Sequence, residues 1–536
     1  MTRRITRFVA ALLALAMLLT CVGAIAEASK SIYRYPEVPY EGVPVYGGVL
    51  RVGNRFSGVS NIGYPFTFAT NSSWEYINAC PALESMMRLD AEGNKLPWLA
   101  SSWEIDAENL IFTIHLQPNV KFHDGTDLNA EAVVWNYEQY VAAGHTQFNS
   151  VDHFEAVDDL TVVAYLKNWD TTIEDSLLLT CGWMISPTAV QANGAEWATA
   201  HPVGTGPFVF DEWIRDVGVY YNKNENYWRE GEPYLDRVEM CIYSDVTALS
   251  AALTTGMVDA VIPADVTVAK AWSEIGGINE SGASSTTTAH CVMFPSNNAE
   301  LPFHDVRVRQ AIAYAIDAQA IAELMSEQGG NYVYATQIAV PGSISWNDDY
   351  EGYPYDPDMA RKLLAEAGYP DGFTCPGYVI ASNNLLRQCA DIIAAYLSDV
   401  GINVENQNND MALIAEMTAG TGKSLDGIVW FCTTCFANIA TTYEPIFTEN
   451  GTTYACVTEK PAELTEALRN AKVATTPEEL AKYCKEMTRI VADQCLIVPI
   501  ASQYDGQSIG AYVHNMAFAV GSNFDWAPSS VWMSEH

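Results

Sequence analysis

Basic residues are scarce in this sequence. Lys and Arg number 28 against 65 Asp and Glu in 536 residues, a formal net charge of −37. So few cations exclude a nucleic-acid binder, which needs Lys/Arg stripes to displace counterions from phosphates. The same scarcity leaves no polybasic face for anionic lipid headgroups. No segment beyond residue 26 is long and apolar enough to span a bilayer. The nine His, at 115, 123, 145, 153, 201, 290, 304, 514 and 536, form no HxH or His-x3-His pair, so no metal site is expected. HExxH is absent, and Gly204-Thr205-Gly206 lacks the Lys-Ser/Thr of a phosphate loop. Low-complexity linkers and internal repeats are missing too. What is present, 49% hydrophobic and 11% aromatic residues, suits a folded chain of three to four domain-sized units, at ~150 residues each.

The opening residues differ from the rest. Arg3, Arg4 and Arg7 form a basic region, Phe8 to Leu19 is an apolar run, and Ala24-Ile25-Ala26 supplies a small-x-small cleavage pattern. This predicts a secretory signal over residues 1–26, with a product secreted across the cytoplasmic membrane, periplasmic or cell-surface attached. Removing it takes away three Arg and no acid, moving the charge from −37 to −40. A second reading makes Cys21, after Leu18-Leu19-Thr20, a lipid-anchored N-terminus.

Twelve Cys show no disulfide framework. Cys432-Thr433-Thr434-Cys435 is the one close pair. It lacks a second CxxC or a His pair for zinc and a following His for haem. A local disulfide or two buried thiols is expected.

Strand and helix signals interleave. Phe112, Ile114 and Leu116 alternate with Ile111, Thr113 and His115 as in a half-buried strand. Asp305 is expected to cap one helix running to about Ser326. Asp356 as N-cap, Pro357 at N1 and Gly368 just beyond bracket another. Thr476-Pro477-Glu478-Glu479 reads as a capping box opening a helix toward Ile490. The pattern predicts α/β lobes packed on each other.

Several segments occur together in order: Gly47 to Val52, Leu96 to Glu104, Val120 to Thr126, Gly204 to Phe208, Asn226 to Trp228 with Pro233 to Asp236, Phe303 to Ile312, and Asp356 to Phe373. In this set the chain resembles extracellular solute-binding protein family 5, which serves ABC importers of oligopeptides, dipeptides, nickel and some oligosaccharides. The resemblance implies a two-lobed, type II periplasmic-binding-protein-like clamp with an enlarged first lobe. That lobe takes residues 27–290 plus 499–536, with an inserted subdomain at about 80–200, and the second lobe takes 291–498. It also implies a monomer that closes on a small organic ligand and hands it to ABC permease subunits driven by a cytoplasmic ATPase. No enzyme activity and no cofactor are implied.

Peptide-binding members hold the peptide ammonium with an Asp shortly after a Trp on a second-lobe strand. Here the corresponding stretch is Asp426 to Cys435, and no acid occurs between Gly427 and Tyr443. Sealing an ammonium in a cleft without a counter-charge carries a large desolvation penalty. Trp430, Phe431, Thr433 and Thr434 suggest instead an apolar, hydroxyl-rich wall. Tyr64, Phe66, Trp74 and Trp526 are the remaining ligand candidates, with Trp183 beside them. The ligand readings are a peptide or other organic solute, from the family, and a neutral oligosaccharide, from the missing Asp. Two rivals are an exported hydrolase, for which Gly506-Gln507-Ser508-Ile509-Gly510 fits a GxSxG nucleophile elbow, and a ligand sensor that borrows the clamp.

Overall fold

The computed structural model describes residues 43–535, apart from 56–59, 69–72, 90–94, 263–265, 282–285, 328–331, 381–383, 410, 419–424, 450–456, 504–505, 517 and 520–524. The signal segment and Cys21 lie outside the described residues.

Two twisted sheets organise the chain. The first has seven strands in the order Ile278–Ser281, Gly506–Ile509, Ala260–Val261, Val49–Asn54, Arg237–Ile242, Gly218–Lys223 and Phe208–Ile214. Val49–Asn54 runs parallel to both its neighbours and buries one face through Leu50, Val52 and Asn54, while Arg51 on the other face is part-exposed. The second sheet has six strands in the order Tyr332–Tyr334, Ile497–Gln503, Thr286–Met293, Ile428–Phe436, Phe373–Ile380 and Ile402–Asn409. The chain passes between the sheets twice, from Ile278–Ser281 into Thr286–Met293 and from Ile497–Gln503 into Gly506–Ile509. These strands are neighbours in each sheet, so the two crossings lie side by side. The expected lobe boundaries at 290 and 499 fall inside strands of the second sheet.

Between Val49–Asn54 and Phe208–Ile214 the first lobe carries an antiparallel sheet of four strands, Ala100–Asp106, Ile111–Leu116, Thr161–Leu166 and Val151–Asp158. Phe112, Ile114 and Leu116 are buried on one face, in the same core as the helix Ala130–Ala142, which Asn129 caps by accepting from the Ala132 amide. One apolar core runs through the insert and the first sheet. In the second lobe, separate cores fill the two faces of the sheet.

Local signals place most helix ends. Asp356 accepts from the Met359 amide ahead of Pro357–Glu366, and Gly368 takes φ +94° beyond it, a conformation glycine adopts without strain. Thr476 accepts from the Glu479 amide to open Pro477–Asp493. The single helix expected from Asp305 to Ser326 is instead two, Val306–Ala315 and Ala318–Glu327. Ile316 is extended at φ −99°, ψ 122°, and Asp317 starts a new helix by accepting from the Ala320 amide. The apolar periodicity continues across this break, which hides it from a pattern argument.

Candidate functional site

The crossings fix where a cleft must lie. Ile278–Ser281 and Ala260–Val261 are both antiparallel to Gly506–Ile509, so Ile278–Ser281 runs in the direction of Val49–Asn54. Its carboxyl end, Ser281, is where the chain leaves for the second lobe. There Ile428–Phe436 is antiparallel to Thr286–Met293, with Phe436 opposite Thr286, and parallel to Phe373–Ile380. The carboxyl ends of the parallel strands of both sheets therefore flank the crossings. Ligands of open α/β sheets bind outside such ends.

Depth along the strand decides which residues of Ile428–Phe436 reach that end. Trp430 lies opposite Val292, is 3% exposed, and packs in the core beneath the helix Asn384–Asp399. It lines a small crevice with Val292, Leu397 and Ile428, and its buried indole N–H meets no protein acceptor. Phe431 points to the opposite core with Cys291, Cys435 and Tyr443. Exposure begins at the carboxyl end, where Cys432 and Thr434 are exposed and Thr433 is half-buried. Cys432 is exposed and Cys435 is buried. Three residues apart on a strand, they point to opposite faces and cannot bridge.

Cross-strand neighbours complete this wall. Cys432 lies opposite His290 and Thr434 opposite Thr288, while Thr288 lies opposite Gln503 on its other side. His290 Nε2 is 2.9 Å from the Gln503 Oε1. Since that oxygen only accepts, Nε2 carries the proton and Nδ1 is the bare nitrogen. Nδ1 is buried without a protein partner, and the ring stands edge-on to Tyr332 at 5.2 Å. Burial pushes the His290 pKa down to about 4, so the imidazole is neutral at pH 7. The wall thus offers hydroxyls, a thiol, an amide and a neutral ring.

The aromatic candidates are placed elsewhere. Phe66 is 1% exposed, enclosed by Trp135 and Tyr140. Tyr64 is half-buried and stands edge-on to Phe66 at 4.9 Å. Asn61 fixes this loop by donating to the Tyr64 carbonyl and accepting from the Tyr64 amide. Trp183 and Trp526 are core residues. Trp74 lies in the helix Ser73–Ala79, with its side chain outside the described residues. The structure groups Thr434 with His290, Thr288 and Gln503, which sequence reasoning missed, while Thr433 lies opposite Ala289 on the other face of the sheet. Their juxtaposition depends on three strands distant in the chain, and no local signal announces it.

The segments that carry the family resemblance converge on one buried carboxylate. Glu84 is fully buried. Its Oε1 accepts from Trp98 Nε1 at 2.7 Å and the Tyr227 hydroxyl at 2.6 Å. Its Oε2 accepts from the Thr205 hydroxyl at 2.8 Å and Trp228 Nε1 at 3.1 Å. Arg88 and Arg229 lie over the Trp98 ring, at 4.6 and 4.4 Å from its centre. His123 Nε2 bonds the Gly206 carbonyl at 2.9 Å, and burial pushes its pKa down to about 4. These segments hold the first lobe together. Ser508 of the GxSxG pattern is fully buried within the strand Gly506–Ile509 and donates to Asn279 Oδ1 at 2.6 Å, while His514 Nε2 pairs with Ser534.

A profile of the bacterial extracellular solute-binding proteins, family 5 (middle region), matches residues 96–426. The chain belongs to this family. It is similar to the glutathione-binding protein GsiB of Pectobacterium atrosepticum, 30% identical over 390 residues, covering 72% of this chain and 73% of that one. It is also similar to the heme-binding protein A of Haemophilus influenzae, 32% identical over 340 residues, covering 57% and 60%. In fold it matches the periplasmic binding protein DppA of Helicobacter pylori, solved with the peptide STSA, at TM-score 0.73 and 20% identity over 92% of this chain and 99% of that one. The substrate-binding protein CtaP of Listeria monocytogenes matches at TM-score 0.77 and 20% identity, over 91% and 100%. As a family 5 solute-binding protein, the chain is the extracytoplasmic receptor of an ABC importer, capturing a peptide or other organic solute between two lobes for a membrane permease. No described helix is long and apolar enough to cross a membrane. Among the described residues no group of three or more His, Cys, Asp or Glu is arranged to hold a metal ion.

Proposed function

We propose that this solute-binding protein captures a neutral, hydroxyl-rich organic solute, a short oligosaccharide being the leading class. One observation carries the reading: the carboxyl end of Ile428–Phe436 and its neighbours present Cys432, Thr434, Thr288 and Gln503 on one face, backed by a neutral His290, with no acid from 428 to 443. Such a wall recognises a ligand by hydrogen bonds and gives no counter-charge to a buried ammonium. A short peptide is the second reading, favoured by the relatives that bind glutathione and peptides. Tyr64 and Trp74, from the first lobe, are proposed to complete the cleft. The chain acts after export directed by residues 1–26, as a monomer.

Thermal-shift screening against pools of neutral oligosaccharides and of short peptides tests the reading. A ligand at 100-fold excess over its Kd stabilises by about 2.7 kcal/mol. Stabilisation by sugars alone supports the neutral wall, and stabilisation by peptides with free amino termini alone overturns it.

A further inference from the structure

The two lobes also meet outside the hinge strands. The inserted subdomain sends the segment after Thr161–Leu166 onto the last turn of the second-lobe helix Ala462–Lys472. Three donors from the first lobe satisfy carbonyls at and just past that helix end. The Thr171 amide donates to the Lys472 carbonyl at 2.8 Å. The Thr171 hydroxyl donates to the Ala471 carbonyl at 3.0 Å. The Trp169 indole donates to the Ala474 carbonyl at 2.8 Å. Helix C-termini leave such carbonyls short of intrahelical partners, and here the first lobe supplies donors, with the Ala474 amide also reaching the Ala471 carbonyl at 3.4 Å.

An ion pair accompanies them. Asp170 is 8% exposed, and its Oδ1 is held within its own lobe by the Thr172 amide at 3.0 Å and hydroxyl at 2.8 Å. Its Oδ2 faces Lys472 Nζ at 3.1 Å across the lobes. The same ammonium contacts Glu444 Oε1 at 2.5 Å, in the helix Ile439–Phe447 that Asn438 caps directly after the cleft strand Ile428–Phe436. The contact is therefore one helix away from the ligand wall. In a chain of net charge −37, one of few cations bridges an acid of each lobe.

We propose that Trp169–Asp170–Thr171 and Lys472 form a latch that holds the clamp shut and thereby sets its affinity for ligand. Opening the lobes breaks all four contacts together. Ligand affinity scales with the population of the binding-competent form, so the latch acts without touching the solute. The proposal rests on the two-lobed clamp alone and holds for any ligand class.

Small-angle scattering and amide hydrogen exchange of the ligand-free full chain test it. Lys472→Glu should cut the closed-to-open ratio by roughly ten-fold, the scale of a charge-assisted hydrogen bond lost at a part-buried site. It should enlarge the radius of gyration and speed exchange at the Thr171 amide. The double variant Asp170→Lys with Lys472→Asp should restore compaction, and raising salt should expand the wild type. Trp169→Phe, which removes one donor while keeping the ring, should give a smaller shift in the same direction, even if Lys472→Glu fails to fold. A wild type that is open and insensitive to salt, or a Trp169→Phe chain with unchanged scattering and unchanged Thr171 exchange, would overturn the latch.

Discussion

Replacing Glu84 by Gln keeps its shape and removes its charge. Each carboxylate oxygen serves one indole and one hydroxyl: Oε1 takes Trp98 and Tyr227, and Oε2 takes Trp228 and Thr205. A glutamine amide keeps one accepting oxygen and turns an NH2 toward the other pair. A hydroxyl can rotate to accept from that NH2, but an indole N–H can only donate. Whichever way the amide flips, one buried indole N–H is left facing a donor. Losing a hydrogen bond to a charged group costs about 1.5–3 kcal/mol, and leaving a buried donor unsatisfied adds about 1–3 kcal/mol. The expected loss is about 3–5 kcal/mol in the first lobe, or roughly 10 °C in its melting transition. Tryptophan fluorescence during thermal unfolding reads it directly, because Trp98 and Trp228 report on the site. Trp98→Phe, which removes one donor, should cost less than Glu84→Gln, and the two changes together should cost less than their sum. A Glu84→Gln shift below about 2 °C would refute the argument that these segments cohere through this carboxylate.

His290 predicts an acid sensitivity. Its pKa is pushed down to about 4 by burial, against ~6.5 in the unfolded chain. The unfolded chain therefore binds the proton first as pH falls. Stability is present in full above pH ~6.5 and is lost between there and pH 4, by about 3 kcal/mol. His123, whose pKa burial also lowers to about 4, acts in the same window, so His290→Gln should remove about half of that slope, and an unchanged slope would sink the assignment. Among the described cysteines only Cys432 is exposed, so Cys432→Ser should remove a fast phase in native thiol titration. If the fast phase persists at full amplitude, Cys432 is not the thiol responsible for it. Thr434→Val should weaken binding of the solute identified by screening roughly five-fold, one hydrogen bond's worth, without moving the unliganded melting temperature. Unchanged affinity would remove Thr434 from the site.

The parts of this fold that were legible from sequence are those written in local chemistry. Asp356, Pro357 and Gly368 bracket their helix as the cap rules require, and Thr476 opens its own. The break at Ile316 escaped because Asp317 serves as a cap inside an unbroken apolar periodicity. Aromatic candidates were harder. Phe66, Phe431 and Trp526 have the residue type of a ligand wall but lie in cores, since composition does not say which face a ring takes. On Ile428–Phe436 the distinction between Trp430 and Thr434 is one of depth along the strand, set by tertiary packing. The Glu84 cluster draws on segments 98, 205 and 227–228, whose family-like motifs were visible while their common acceptor was not. His290 and Gln503 meet only because two crossing strands lie side by side.

The central claim is that this family 5 receptor closes on an uncharged solute without converting it. Titrating neutral oligosaccharides and free short peptides into the full chain, with calorimetry and small-angle scattering on the same samples, tests it most directly. A neutral oligosaccharide is expected to give saturable one-to-one heat and a smaller radius of gyration, and to be recovered unchanged. Compaction by peptides with free amino termini and none by sugars, or turnover of the bound molecule, would contradict it.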